Sequence, residues 1–364
     1  MSLDALPLRA DLRGSVPYGA PQLDVAVRLN TNENSYDLPE PVALAVVEAV
    51  AREVRHLNRY PDREFTVLRE ELARYLGHDL APEQLWAANG SNEVLLQVLQ
   101  AFGGPGRTAL GFTPAYSMHP IITATTATAW VDGQRGAPTG EFDLTADSVA
   151  AQVRDHDPDV VFLCSPNNPT GTALDLDVVR AAYEASDHAV VVVDEAYAEF
   201  ARAGTPSALT LLQGRPRLVV TRTMSKAFAF AGARVGYLAA DAAVGDALRL
   251  VRLPYHLSSL TQAAAVAALR RAPDLLATVA AIRAQRDRIV EQVARLGLHP
   301  VPSDANFVLF GGLADSRATW QGLLDHGVLV RDVGLPGYLR VTAGTEAETT
   351  AFLTALATTL EESR

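Results

Sequence analysis

The sequence predicts an α/β protein: a large domain with a mostly parallel sheet sandwiched by helices, plus a small α+β domain. Three observations support this fold class. Between about residues 35 and 255, short runs of apolar, β-branched residues alternate with helical patterns. The last hundred residues instead combine helical patterns with three short apolar runs. Polar motifs follow four of the apolar runs in the first region, which is where open α/β sheets bind ligands.

Six apolar runs form the predicted sheet of the large domain. They are LWAA (85–88), TALGF (108–112), VVFLC (160–164), AVVVVD (189–194), RLVVTR (217–222) and VGYLAA (235–240). Continuous apolar runs of this length are typical of strands that are buried on both faces. Because right-handed crossovers bring the carboxyl ends of parallel strands to one edge, the motifs after the strands are expected to meet there.

The predicted large domain covers residues 35–255, and the small domain consists of residues 256–364 together with an N-terminal arm, residues 1–34. The small domain is predicted to contain helices near 274–296, 315–326 and from 346, and strands within ANFVLFGG, GVLVRD and YLRVTAG. The arm carries VRLNTNENSY and precedes a helix near residues 40–55.

The composition argues against several classes of function. With 364 residues, 48% of them hydrophobic, the chain can bury a large core. A net charge of −11 disfavours binding to nucleic acid or to an anionic membrane. Neither a signal peptide nor a membrane span is expected, and the histidines lack the spacing of a metal site. The only cysteine, Cys164, lies in an apolar run as a core residue would, and a single cysteine fits a reducing cytoplasm.

Lys226, in TRTMSKAFAF, is the only lysine among the 31 lysines and arginines of the sequence. An ammonium group can lose its proton and attack a carbonyl, whereas a guanidinium stays protonated and cannot form a Schiff base. Lys226 is therefore a candidate nucleophile, and a solvated surface lysine is the alternative.

A possible anion site lies in NGSNEVLLQVLQAF, where a strand ends at Asn89 and a helix opens near Ser91. The backbone N–H groups of Ser91 and Asn92 would face an anion at the helix N-terminus. An ordinary capping box with Ser91 as the N-cap fits the same residues.

A second group of anion ligands surrounds Lys226. The hydroxyls of Thr223 and Ser225 and the guanidinium of Arg234 would together form a clamp for a phosphate. The alternative for Arg234 is an exposed ion pair at the surface.

Four more polar residues follow the predicted strands. Asp194 ends a buried strand, so its carboxylate needs a cationic partner such as a protonated ring nitrogen; the alternative is the N-cap of the next helix. Tyr197 lies three residues on and could reach the same ligand. Asn168 in SPNNPTG could present its amide at the sheet edge or belong to a plain loop. Tyr116 in TPAYSM could stack on a flat ring or fill the core.

Read in order, NGSNE, TPAYS, SPNNPTG, VVVDEAY, TRTMSKAF with AGAR, and LRVTAG resemble the motifs of the fold-type I pyridoxal-phosphate aminotransferases. LNTNE, NRYPD, VRLPYHLSSLTQ and SDANF are similar to the histidinol-phosphate branch of that family. The resemblance runs from about Tyr18 to the C-terminus. The sequence departs from the family pattern at Phe230, Ala233 and Ser35.

The resemblance implies a role for each residue around the cofactor, pyridoxal 5'-phosphate. Lys226 would bind the cofactor covalently and move a proton during the reaction, while Asp194 would keep the pyridine nitrogen protonated. Asn168 and Tyr197 would contact the ring oxygen, and Tyr116 would stack on the ring. The cofactor phosphate would be held by Ser91, Asn92, Thr223, Ser225 and Arg234.

The resemblance also implies where the substrate and a second subunit bind. Arg340 of LRVTAG would hold the substrate anion, because one guanidinium can bind either a carboxylate or a phosphate. Arg331 is a weaker candidate for the same anion, and Tyr18 and Asn30 of the arm would line the substrate pocket. Tyr60 of NRYPD would reach in from the second subunit of a homodimer.

The function implied by the resemblance is a cytoplasmic aminotransferase of histidine biosynthesis. It would convert imidazole acetol phosphate and L-glutamate to L-histidinol phosphate and 2-oxoglutarate. An aromatic amino acid aminotransferase is the main alternative, because that branch uses the same catalytic residues. A phospho-amino-acid decarboxylase and a non-catalytic cofactor-binding protein are the other two.

Overall fold

The computed structural model describes residues 6–14, 17–136 and 142–362. The strands are β1 (Val27–Arg28), β2 (Leu85–Ala88), β3 (Thr108–Thr113), β4 (Ala129–Gln134), β5 (Val160–Cys164), β6 (Val190–Asp194), β7 (Leu218–Thr223), β8 (Gly236–Ala240), β9 (His299–Pro300), β10 (Phe307–Gly311), β11 (Val328–Leu329) and β12 (Leu339–Thr342). The helices are α1 (Glu40–Val54), α2 (Thr66–Leu76), α3 (Ser91–Phe102), α4 (Met118–Thr125), α5 (Ala146–His156), α6 (Leu176–Glu184), α7 (Ala242–Val251), α8 (Ser259–Leu269), α9 (Ala272–Arg295), α10 (Ser316–Asp325) and α11 (Glu346–Glu362).

A seven-stranded sheet forms the centre of the molecule, in the order β2, β8, β7, β6, β5, β3, β4. The strands from β7 to β4 are parallel, and β8 is antiparallel to both of its neighbours. The strand β2 therefore runs in the same direction as β7, and its carboxyl end lies at the same edge of the sheet. The predicted α/β fold class, with a mostly parallel sheet, is confirmed.

The central strands are buried on both faces. Every residue of β5 and β6 is buried, and successive residues of a strand point to opposite faces of the sheet. All six predicted strands are present within one or two residues. The strand β4 was not predicted, because AWVDGQ mixes exposed and partly buried residues at the edge of the sheet.

The C-terminal region contains a three-stranded antiparallel sheet in the order β12, β10, β9. The N-terminal arm joins this region, because β1 pairs with β11 in parallel. The helices α9, α10 and α11 lie within one or two residues of the three helices predicted there. The domain boundaries near residues 34 and 255 stay a prediction.

Residues 6–14, 17–136 and 142–362 contain neither a membrane-spanning helix nor a metal-binding cluster. No helix there is long and apolar enough to cross a membrane. No group of three His, Cys, Asp or Glu side chains there is arranged to hold a metal ion. Cys164 is buried in β5, and burial raises the pKa of its thiol, so it is a poor nucleophile.

Candidate active site

A cavity of about 410 Å³ opens at the carboxyl edge of the central sheet, where β2, β5, β6 and β7 end. The arm and the C-terminal region form its other walls. Every site residue predicted from the sequence lines this cavity, except Tyr60. The loops that follow the parallel strands thus bring together side chains from positions 18 to 340 of the chain.

The guanidinium of Arg234 lies directly against the backbone at the N-terminus of α3. A Cβ atom on Gly90, whose φ is +88°, would lie 2.3 Å from Arg234 Nη2, and a Cβ atom on Gly236 would lie 2.1 Å from the backbone nitrogen of Ser91. Gly90, not Ser91, is the N-cap of α3, and no side chain caps the helix. The capping-box alternative for Ser91 is therefore wrong, and the helix N-terminus is open to an anion.

The hydroxyls near Lys226 lie beside this helix end. Thr223 Oγ1 is 3.0 Å from Ser225 Oγ, which in turn is 3.4 Å from Arg234 Nη1. Arg234 also donates to the carbonyl of Ala231, and it forms no ion pair within the described residues. The surface ion pair considered for Arg234 is absent from that part of the chain, and its charge is available to an anion.

Asp194 ends β6 with 1% of its surface exposed. Its Oδ2 lies 3.1 Å from Nε2 of His119, and its Oδ1 accepts a hydrogen bond from Thr221 at 3.3 Å. The ring of His119 is itself buried and stacks on Phe162. Asp194 is not an N-cap, because Tyr197 takes that position in the next helical turn. A buried carboxylate held in this way can accept a hydrogen bond from a protonated ring nitrogen.

No role was predicted for His119, because the histidines of the sequence lack the spacing of metal ligands. The signal available was its place in TPAYSMHP, three residues after Tyr116. Tyr116 packs edge to face on His119, and its hydroxyl is 3.3 Å from Asn92 Oδ1. The ring of His119 therefore contacts both Asp194 and Tyr116, and Tyr116 lines the cavity.

The hydroxyl of Tyr197 lies between two amides from distant parts of the chain. Asn32 Nδ2 donates to it at 3.0 Å, and Asn168 Nδ2 lies 3.5 Å away. Burial raises the pKa of Tyr197 to about 12, although the Arg340 charge and the Asn32 hydrogen bond oppose that rise. The phenol is therefore protonated at neutral pH.

Lys226 is half-buried within the cavity and is not the solvated surface lysine that was the alternative. Its Nζ donates to the carbonyl of Thr31 at 3.1 Å and lies 6.0 Å from the centre of the Tyr197 ring. Burial, together with the nearby cations Arg340 and Arg234, lowers the pKa of Lys226 to about 8, although Glu33 opposes this change. A substantial fraction of this amine is neutral near physiological pH, as a nucleophile requires.

Arg340 extends from β12 into the cavity. Its Nη1 donates to Asn168 Oδ1 at 2.5 Å, and its Nη2 donates to the carbonyl of Asn30 at 2.7 Å. Its Nε is buried and has no hydrogen-bond partner within the described residues. Burial lowers the pKa of Arg340 to about 10, so it is still charged at neutral pH. A free N–H on a buried cation suits the binding of an anion.

Arg331 and Tyr18 lie beside Arg340 at the same cavity. Arg331 and Arg340 exchange two backbone hydrogen bonds of 2.9 Å, and the guanidinium of Arg331 is 5.8 Å from the centre of the Tyr18 ring. Tyr60 lies elsewhere: its side chain is 79% exposed and stacks on Tyr255 at 4.5 Å.

The residues of the cavity fit pyridoxal 5'-phosphate. The amine of Lys226, with its lowered pKa, suits the aldehyde of the cofactor. The carboxylate of Asp194 suits its ring nitrogen, and the phenol of Tyr197 suits its ring oxygen. The open N-terminus of α3, Ser225 and Arg234 suit its phosphate.

The chain is similar to known proteins over nearly its whole length. Residues 25–356 match the family model described as aminotransferase class I and II. The chain is 63% identical to a histidinol-phosphate aminotransferase of Paenarthrobacter aurescens, over 99% of this chain and 96% of that protein. It is 61% identical to one of Frankia casuarinae, over 98% of this chain and 91% of that protein. The crystal structure of histidinol-phosphate aminotransferase from Sinorhizobium meliloti in complex with pyridoxal-5'-phosphate has a TM-score of 0.87 to this chain, with 26% sequence identity and 100% of both chains covered.

Proposed function

The chain belongs to the class I and II aminotransferases, and from this membership we infer that it catalyses the histidinol-phosphate aminotransferase reaction of histidine biosynthesis. The enzyme uses pyridoxal 5'-phosphate to exchange an amino group between L-glutamate and imidazole acetol phosphate, which gives L-histidinol phosphate and 2-oxoglutarate. The observation that carries the reaction class is that the only lysine of the sequence shares one cavity with Asp194, Arg234 and Arg340. The substrate pair follows from the high identity to the two curated relatives.

Each residue around the cofactor has a physical task in this reaction. When bound, the cofactor supplies an electron-withdrawing ring that stabilises negative charge on the substrate carbon. Asp194, held by His119, would accept a hydrogen bond from the ring nitrogen and keep it protonated. Tyr197 and Asn168 would donate toward the ring oxygen. Lys226 Nζ would hold the cofactor covalently and, when free, would move a proton from the substrate carbon to the cofactor carbon that receives the amino group.

The start of α3 and Arg234 would hold the phosphate of the cofactor. The N–H groups of Ser91 and Asn92 would donate from the helix end, and Thr223 and Ser225 would contribute their hydroxyls. The absence of a Cβ atom at Gly90 and Gly236 supports this arrangement, because either Cβ would collide with one of these groups.

The substrate anion binds at Arg340, with Arg331, Tyr18 and Asn30 around it. The buried Nε of Arg340, which lacks a partner in the described chain, supports this role. A guanidinium binds a phosphate or a carboxylate through parallel hydrogen bonds, so one group can serve histidinol phosphate and glutamate in turn.

The test is a comparison of substrates on the purified holoenzyme. With 2-oxoglutarate as the amino acceptor, kcat/KM should be higher for histidinol phosphate than for phenylalanine or tyrosine. Lys226→Ala, purified in the same way, is the control for background transamination. A clear preference for either aromatic amino acid would reject the proposed substrate.

We also propose that the enzyme is a cytoplasmic homodimer in which Tyr60 completes the site of the second subunit. Tyr60 is exposed and does not line the cavity of its own chain. Large apolar side chains are exposed on α1 at Leu44 and Val47, and after α7 at Leu253. Tyr60 shares a surface groove with other residues of α1 and stacks on Tyr255. Such apolar surface is typical of a protein interface. The single cysteine supports the cytoplasmic location.

Subunit complementation tests the dimer. Tyr60→Ala and Lys226→Ala should each lose activity, and mixed dimers of the two variants should regain it, because one of the two sites then has both residues. If Tyr60 acts within its own chain, no mixed site is complete and mixing restores nothing. Sedimentation of the wild-type protein as a monomer would also reject the proposal.

A further inference from the structure

Asn32 is a buried residue of the arm for which the sequence predicted no role. Only 1% of its surface is exposed, and its φ of 55° lies in the left-handed region. Among residues with a side chain, asparagine and aspartate tolerate this conformation best, because their short polar groups hydrogen-bond locally. A buried polar residue in this uncommon conformation indicates a specific constraint on its side chain.

The hydrogen bonds of Asn32 define which way its amide faces. Its backbone N–H donates to Thr342 Oγ1 at 3.0 Å, and Thr342 Oγ1 donates to Asn32 Oδ1 at 3.1 Å. Asn306 Nδ2 donates to the carbonyl of Asn32 at 3.1 Å. Since the single proton of the Thr342 hydroxyl goes to Oδ1, the amide oxygen faces Thr342 and the NH₂ group faces Tyr197.

This orientation determines what the phenol of Tyr197 can do. Its oxygen has two lone pairs, and two amide groups, Asn32 Nδ2 at 3.0 Å and Asn168 Nδ2 at 3.5 Å, donate to it. With both lone pairs occupied, the phenol proton is left to be donated elsewhere. Tyr197 and Lys226 line the same cavity.

We propose that Asn32 is a positioning residue that directs the proton of the Tyr197 hydroxyl into the cavity, toward the ring oxygen of the cofactor. The inference rests on the proposed function. Asn168, the other donor, is held through its Oδ1 by Arg340, which lies on β12 together with Thr342. Two residues of β12 therefore hold both amides: Thr342 bonds Asn32, and Arg340 bonds Asn168. Arg340 is also the proposed ligand of the substrate anion.

The test is the pH titration of the visible absorbance of the holoenzyme, which reports the pKa of the link between cofactor and Lys226. A hydrogen bond donated to the ring oxygen lowers this pKa, so its loss raises it. Asn32→Gly removes the amide and keeps the left-handed backbone, and it should raise the midpoint by about one pH unit. Tyr197→Phe should raise it at least as far, and adding Asn32→Gly to Tyr197→Phe should have no further effect.

Two other variants keep this test decisive. Asn32→Asp preserves size and conformation and replaces the donor with an acceptor, so it should also raise the midpoint. It takes the place of Asn32→Gly if the glycine variant does not fold. Asn34→Ala is the matched control, because Asn34 lies in the same arm and bonds Ala227 and Thr278 but not Tyr197. Its midpoint should equal that of the wild type.

The outcomes separate this inference from the proposed function. A wild-type protein that shows no absorbance from a cofactor on Lys226 overturns both. A normal wild-type titration with an unchanged midpoint in the Asn32 variants overturns only the role of Asn32. If Asn32→Gly shifts the midpoint as much in the Tyr197→Phe variant as in the wild type, that role is also overturned, because the effect then does not depend on the phenol.

Discussion

Replacing Arg340 with alanine should weaken the binding of both substrates. Arg340 is the buried cation at the end of the cavity, and its Nε lacks a partner within the described residues. Losing one charge-assisted hydrogen bond costs about 1.5 to 3 kcal/mol. Since about 1.4 kcal/mol corresponds to a factor of ten, the apparent affinity should fall roughly 10- to 150-fold for each substrate.

A second effect of the same substitution has a defined sign. The charge of Arg340 lowers the pKa of Lys226, so its removal should raise that pKa. The substitution also takes away the donors that hold Asn168 and the carbonyl of Asn30. Arg340→Lys keeps the positive charge but not the planar fork, so its affinities should lie between those of the wild type and the alanine variant.

The assay is a titration of the cofactor absorbance with histidinol phosphate and, separately, with glutamate. Arg288→Ala is the matched control, because Arg288 is an arginine of α9 that bonds Thr350 on α11 and does not line the cavity. Unchanged affinity of Arg340→Ala for both substrates would remove Arg340 from the substrate site. A loss confined to one substrate would show that the two anions bind at different places.

Three further predictions concern the cofactor. Lys226→Ala should abolish turnover and Lys226→Arg should do no better, since a guanidinium cannot form the covalent link; activity of the arginine variant would contradict the mechanism. Because the neutral amine is the nucleophile and the pKa of Lys226 is lowered to about 8, covalent capture of pyridoxal phosphate by the cofactor-free protein should accelerate with pH only up to about 8. A capture rate that keeps rising toward pH 10.5 would indicate a lysine with an unperturbed pKa. Gly236→Ala places a Cβ atom 2.1 Å from the nitrogen of Ser91, so it should lower the stability by about 1 to 3 kcal/mol and weaken cofactor binding. Thermal unfolding and cofactor dissociation would measure both, and wild-type values in both would contradict this packing.

Predictions from the sequence were confirmed where a local pattern is typical of one kind of structural element. Short continuous runs rich in valine are typical of strands buried on both faces, so the strands β5 and β6 were predicted nearly to the residue. The strand β4 was missed because an edge strand buries only part of its surface and lacks that pattern. The meeting of the polar motifs at one edge followed from the direction of parallel strands.

The amino-acid sequence by itself determined the fold class, the single lysine and the order of the polar motifs along the chain. Only the tertiary structure decided which side chains hold the functional groups in place. His119 against Asp194, and Asn32 against Tyr197, join residues 75 and 165 positions apart. No local propensity encodes such a contact, because it depends on how strands and arm are brought together in space. The same holds for the lowered pKa of Lys226, which burial and the charges of distant arginines produce.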